Sequence, residues 1–129
     1  MTLQGVALVG LGGAFGSIAR YLLSVWTMQA AAPQKFPLGT FVVNLSGCLV
    51  AGLLLGLSER HPGWLSGEMR LLLFAGVLGG FTTFSAFGLE TVQLLRRGDW
   101  LVATGYVGGS VLLGLALVLV GFRLAAPAG

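Results

Sequence analysis

The run Gly79-Gly80-Phe81-Thr82-Thr83-Phe84-Ser85-Ala86-Phe87-Gly88 concentrates more potential chemistry than any other part of this chain. Paired glycines followed by paired β-branched threonines make a poor helix interior, each glycine costing about 1 kcal/mol relative to alanine and each threonine several tenths. Two backbone outcomes fit. Either the helix continues, with threonine hydroxyls bonded back to the preceding turn, or it breaks and leaves carbonyls able to bind a cation. Phe81, Phe84 and Phe87 recur every third residue, so a helix would set their rings along one side. Such rings commonly serve as packing or lipid-facing groups. A phenylalanine edge also carries partial positive charge and can face an anion without a hydrogen-bond donor, so rings flanking the Ser85 hydroxyl could form a weak anion track.

Asn44 lies in the apolar stretch that follows Pro37, with Thr40 one turn earlier on the same helical face. An amide in such a place must be satisfied. Its NH2 could offer two donors to an anion, or it could join neighbouring helices, and the two roles are compatible. Tyr106 and Ser110, four residues apart, add hydroxyls on one face of a later helix. Glu90 follows Phe87 by three residues and extends the phenylalanine face, as a hydrogen-bond acceptor, a proton carrier or an interfacial partner for arginine. Arg20 reads both as an interfacial anchor and as a positive charge that would draw anions into an aqueous vestibule. His61 has no Cys, His, Asp or Glu at ligand spacing, which indicates no transition-metal site. No nucleophile with a base partner, phosphate-binding loop or pair of catalytic acids is present, so the sequence argues against an enzyme.

These side chains need elements to hold them, and composition says of what kind. The chain is 56% hydrophobic and 9% charged, too few charges to give a soluble domain its polar exterior. A bilayer-spanning helix needs about 20 mainly apolar residues. Four stretches qualify, Leu3 to Thr27, Leu38 to Leu57, Met69 to Leu95 and Leu101 to Leu124. They predict an all-α integral membrane protein, a single four-helix transmembrane domain over residues 1–129, with the Gly79–Gly88 run inside the third span. Short polar connections at Ala31 to Pro37, Ser58 to Gly67 and Arg96 to Asp99 predict an up-down bundle with both termini on one side.

Charge then bears on orientation. The side with the termini carries Arg60, Arg70 and Arg123, and the other carries Lys35, Arg96 and Arg97, with Arg20 near it. Because an excess of Lys and Arg normally fixes the cytoplasmic face, this near balance points to insertion in both orientations and hence to an antiparallel homodimer; a single orientation set by one charge or by the lipid is the other outcome. The basic residues form no cluster and flank apolar spans, which fits contact with lipid headgroups and not nucleic acid. Gly12 and Gly16, Gly52 and Gly56, and Gly105 and Gly109 are each four apart and open helix faces to close packing, within the bundle or between chains. Trp26, Trp64 and Trp100 fall at span ends or in loops and read as interfacial anchors. Cys48, the only cysteine, reads as a small packing residue.

The Gly-Gly-Phe-Thr-Thr-Phe-Ser segment, Asn44 behind Pro37-Leu38-Gly39-Thr40, and the early Gly-rich stretch ending in Ser17-Ile18-Ala19-Arg20-Tyr21 together resemble the small bacterial fluoride channels called Fluc or CrcB, over the whole length of the chain. The resemblance implies an antiparallel dual-topology homodimer in the bacterial inner membrane, with two pores through which fluoride leaves the cytoplasm passively. It implies that Asn44, Phe84 and Phe87 line the pore, and that Thr40, Ser85, Glu90, Tyr106 and Ser110 belong to a polar track. Arg20 matches a vestibule arginine. Gly79 and Thr82 match the positions of a break in the third helix whose backbone carbonyls, two from each subunit, hold a structural sodium ion on the dimer axis. Ala86 departs from the pattern, standing where the family commonly has threonine, so one hydroxyl of the track is missing here.

Fluoride is small and a strong hydrogen-bond acceptor, so a narrow path admits it only where donors replace its lost water. Two other functions fit parts of the sequence. Glu90 could couple proton movement in a small dual-topology exporter, and the glycine faces alone would suit a noncatalytic assembly subunit.

Overall fold

The computed structural model describes all of residues 1–129 and contains helices and connecting turns only. Helix α1 runs Leu3–Ala30, and its first turn is closed by Thr2, whose Oγ1 accepts from the Gly5 N–H at 3.0 Å. Helix α2, Leu38–Arg60, begins behind Pro37, where a missing N–H costs nothing. The third span, Gly67–Arg96, is composite. It comprises α3 at Gly67–Arg70, a π-wound segment at Leu71–Leu78, α4 at Gly79–Phe81 and α5 at Phe84–Arg96. Helix α6 is Trp100–Ala125. These four spans are long and apolar enough to cross a bilayer and extend the expected stretches by up to three residues at an end. The protein is a multi-pass membrane protein.

The turn from α5 to α6 shows how local sequence fixes the bundle. Gly98 adopts φ +81°, a left-handed conformation that glycine enters without steric penalty. Its N–H donates to the Leu95 carbonyl at 3.1 Å and the Asp99 N–H donates to Leu94 at 2.9 Å, so the last carbonyls of α5 are capped as the chain reverses.

Glycine faces set the helix pairing. A Cβ on Gly16 would press on the Val77 carbonyl of the π-wound segment, and one on Gly52 would press on the Val118 carbonyl of α6. Backbone touches backbone at both places, which joins α1 to the first half of the third span and α2 to α6. The Gly105 and Gly109 pair behaves otherwise: Gly109 faces the Phe41 ring and Gly105 faces open space.

Only 19 of 129 residues are buried, so most apolar side chains, Phe15, Leu112 and Phe84 among them, must face lipid or another chain. The small core between α5 and α6 consists of Leu94, Ala103 and Tyr106, with Phe36, Phe41 and Phe87 packed against it. Apolar packing there holds the Tyr106 ring, and with it a buried hydroxyl, between the last two helices.

Candidate functional site

Helical geometry ends at Phe81. Thr82 is extended, at φ −84° and ψ 156°, as is Thr83, at φ −147° and ψ 119°, and α5 restarts at Phe84. Each interrupted hydrogen bond can be followed. The Thr83 N–H, which a continuing helix would give to the Gly79 carbonyl, goes instead to Asn44 Oδ1 at 2.8 Å. Asn44 Nδ2 donates to the Thr83 carbonyl at 3.0 Å, so one side-chain amide pairs with both polar groups of one residue. The Ala86 N–H, the helical donor for the Thr82 carbonyl, goes to Thr83 Oγ1 at 3.2 Å, which caps α5. Arg20 Nε donates to the Gly80 carbonyl at 3.0 Å. The Thr82 hydroxyl and N–H both return to the Leu78 carbonyl at 2.9 Å.

Gly79 and Thr82 have therefore lost their usual helical donors. Both lie with Asn44, Gly47 and Phe84 around an open concavity of about 470 Å³ on the outside of the chain. Gly79 itself keeps helical dihedrals, φ −61° and ψ −37°, so its carbonyl is freed by the extended threonines downstream and not by its own conformation.

From Phe84, which is 83% exposed, a file of rings runs inward. Phe84 and Phe87 are 5.6 Å apart between centroids, Phe87 and Tyr106 5.1 Å, and Tyr106 and Phe36 5.4 Å. Phe36 meets Phe41 edge-on at 5.0 Å. Polar groups accompany the file. Thr40 Oγ1 donates to Glu90 Oε1 at 2.6 Å; the fully buried Tyr106 hydroxyl and the Ser110 hydroxyl make no hydrogen bond of good geometry within the chain, although the Thr40 side chain lies beside that of Tyr106. A buried hydroxyl without a partner loses free energy on the order of 1–3 kcal/mol, which a bound anion or water would restore. Beside the file, Arg20, Tyr21, Ser24, Thr40, Thr83 and Ala86 border a cavity of about 90 Å³.

The sequence profile described as CrcB-like protein, Camphor Resistance (CrcB), matches residues 7–122. The chain belongs to the CrcB family. It is 52% identical over 119 residues to the protein named fluoride-specific ion channel FluC of Methylobacillus flagellatus, covering 92% of each chain. It is 47% identical over 123 residues to the FluC protein of Nitratidesulfovibrio vulgaris, covering 92% of this chain and 94% of that one. The FluC protein of Chloroflexus aurantiacus is 45% identical over 122 residues, with 95% of each chain covered.

Within this CrcB-family chain the site residues expected from sequence fall into four places. Thr40, Glu90, Phe87, Tyr106 and Ser110 accompany the inner rings, and Asn44 and Ser85 lie at the extended threonines, with Ser85 Oγ 3.4 Å from Thr83 Oγ1. Gly79, Thr82 and Phe84 face outward on the concavity. Arg20 reaches the end of α4. Asn44 differs from its expected chemistry in one respect: one of its two amide protons is spent on the Thr83 carbonyl, leaving one for a ligand. Phe36 and Phe41 extend the ring file without being expected from sequence, because a phenylalanine beside proline in a loop and one in the first turn of an apolar helix carry no distinguishing spacing.

Proposed function

We propose that this chain is a fluoride-selective channel that lets fluoride leave the cytoplasm passively, working as an antiparallel dual-topology homodimer in the bacterial inner membrane. The observation that carries this reading is the file of rings from Phe84 through Phe87 to Tyr106, accompanied by buried hydroxyls that make no hydrogen bond of good geometry within the chain. The names of the relatives, fluoride-specific ion channels, agree with it.

A fluoride ion entering this file needs substitutes for its hydration shell. Arg20, positive beside the extended threonines, raises the local concentration of anions. The remaining Asn44 proton, the Ser85 hydroxyl and the buried hydroxyls of Tyr106 and Ser110 donate to the ion, and the ring edges of Phe84 and Phe87 bridge the gaps between donors. Thr40 and Glu90 add a polar wall beside the inner rings. Binding at each point is weak enough to release the ion, as conduction requires. With Ala86 where a hydroxyl would extend the track, the polar groups around the 90 Å³ cavity and the water it admits take over that level.

The outward concavity fits the same assembly. Phe84 is too exposed to line a pore within one chain, and a second, antiparallel copy laid on this face would enclose it. The carbonyls of Gly79 and Thr82, deprived of helical donors, suit a structural sodium ion shared by two chains, since hard cations take neutral oxygen ligands.

A proton-coupled exporter is not favoured, because the carboxylate that could carry protons is engaged by Thr40 at 2.6 Å. Vesicles loaded with potassium fluoride, with potassium made permeant and the pH clamped equal on both sides, separate the readings. A channel releases fluoride with no accompanying proton movement; a coupled exporter also runs down the fluoride gradient but must move protons with each ion, which the base or acid needed to hold the pH reads directly.

A further inference from the structure

The ring file does not end at Tyr106. Phe36, in the connection between α1 and α2, stands edge-on to Tyr106 with an interplanar angle of 82° and edge-on to Phe41 at 84°. Its backbone is held on both sides. Pro37 follows it, and the Leu38 N–H closes a tight turn onto the Phe36 carbonyl at 2.8 Å. The preceding residue supplies a second clamp: Lys35 Nζ lies 2.9 Å from Asp99 Oδ1, the only ion pair in the chain, and Asp99 immediately precedes the helix that carries Tyr106. Loop and helix are thus joined at adjacent residues, one by charge and one by a ring. The Lys35 side chain is 70% exposed and the Asp99 side chain 15% exposed, so the cation faces outward.

Resting on the reading that fluoride passes Phe84, Phe87 and Tyr106, we propose that Phe36 is the outermost ring of that route and closes its mouth at the α1–α2 loop. Its edge continues the series of weakly positive ring rims to the membrane surface. Without it the ring file would lose its outer wall, and a narrow passage that favours a small fluoride over larger halides would widen at its mouth. Lys35, one residue further out, meets the arriving or departing anion, and its ion pair keeps the ring over Tyr106.

The test uses the full chain with Cys48→Ala as the reference, so that a cysteine placed elsewhere is the only thiol. Phe36→Cys in that background is reconstituted, its fluoride efflux is measured, and a bulky charged methanethiosulfonate is added on both sides of the membrane. Efflux should fall at least about tenfold on modification, the change produced by a barrier raised roughly 1.4 kcal/mol; the same treatment of Trp100→Cys, outside the file, should leave the rate unchanged. Complete labelling of Phe36→Cys by mass spectrometry with unchanged efflux overturns the proposal. Should Phe36→Cys fail to purify folded, Phe36→Leu keeps the apolar bulk but removes the ring edge: a several-fold loss of fluoride efflux at unaltered melting temperature supports the proposal, and an unaltered rate overturns it. Phe84→Ile measured alongside keeps the two claims apart. If Phe84→Ile conducts normally the route itself is wrong, whereas if it is blocked and modified Phe36→Cys conducts, only the role of Phe36 falls.

Discussion

Asn44 and Thr83, 39 residues apart in the chain, exchange two hydrogen bonds, 3.0 Å from Asn44 Nδ2 to the Thr83 carbonyl and 2.8 Å from the Thr83 N–H to Asn44 Oδ1. The amide takes the place of the helical neighbours that an extended residue has lost. Because no water is available at membrane depth to pair freed backbone groups, the extended threonines and the asparagine require one another. This pairing also withholds the Thr83 N–H from Gly79, which links Asn44 to the outward face of the third span.

Asn44→Ala leaves a backbone donor and acceptor of Thr83 unpaired, at a cost of roughly 1–3 kcal/mol each. We expect a lower melting temperature in lipid or detergent together with a strong loss of fluoride efflux. Asn44→Asp keeps the acceptor for Thr83 N–H but not the donor, so its melting temperature should fall between those of wild type and Asn44→Ala.

Phe84 and Phe87 should separate flux from stability. Phe84 is 83% exposed in the single chain, so Phe84→Ile should change the stability of the fold by less than about 0.5 kcal/mol while strongly reducing efflux. Phe87 packs 5.1 Å from Tyr106, so Phe87→Ala should lower both, with a stability loss of about 2–4 kcal/mol. Equal thermal stability in the two variants would contradict this assignment.

The four spans are legible in the sequence because a run of about 20 apolar residues suits little besides a bilayer, and the loops because proline, glycine and charge punctuate them. The third span is legible only in part. Gly79 and Gly80 mark the weak point, yet both remain helical and the backbone extends at Thr82 and Thr83, where Asn44 and the Thr83 cap supply the hydrogen bonds. Propensity locates a poor helix but not the partner that compensates it. The π-wound Leu71–Leu78 has no signature at all in a run of mostly leucine, valine and alanine. Glycine spacing predicts close approach at Gly12, Gly16, Gly52 and Gly56 but not which helices meet, since spacing names a face and not its neighbour. Phe36 and Phe41 join the site through tertiary packing alone.

Glycine substitutions should divide accordingly. Gly16→Val and Gly52→Val force a side chain onto a facing carbonyl and should destabilise the bundle by more than about 1–3 kcal/mol, read as loss of folded protein on gel filtration. Gly105→Ala meets nothing within the chain and should purify as wild type. If Gly105→Ala instead loses dimer but keeps its helicity, that face belongs to the contact between chains.

The two diverted carbonyls also predict sodium dependence. Replacing sodium by N-methylglucamine throughout should lower the fraction of dimer or its melting temperature and leave the helix content of each chain unchanged by circular dichroism. A dimer equally stable in both cations would remove Gly79 and Thr82 as ligands.

Fluoride efflux from reconstituted vesicles, followed with an ion-selective electrode for wild type and Asn44→Ala at equal dimer content, tests the central claim most directly. Rapid release of fluoride but not chloride by wild type, and its loss in Asn44→Ala, is the expected result. Wild-type vesicles no leakier to fluoride than empty ones, or equal release by the two proteins, would contradict it.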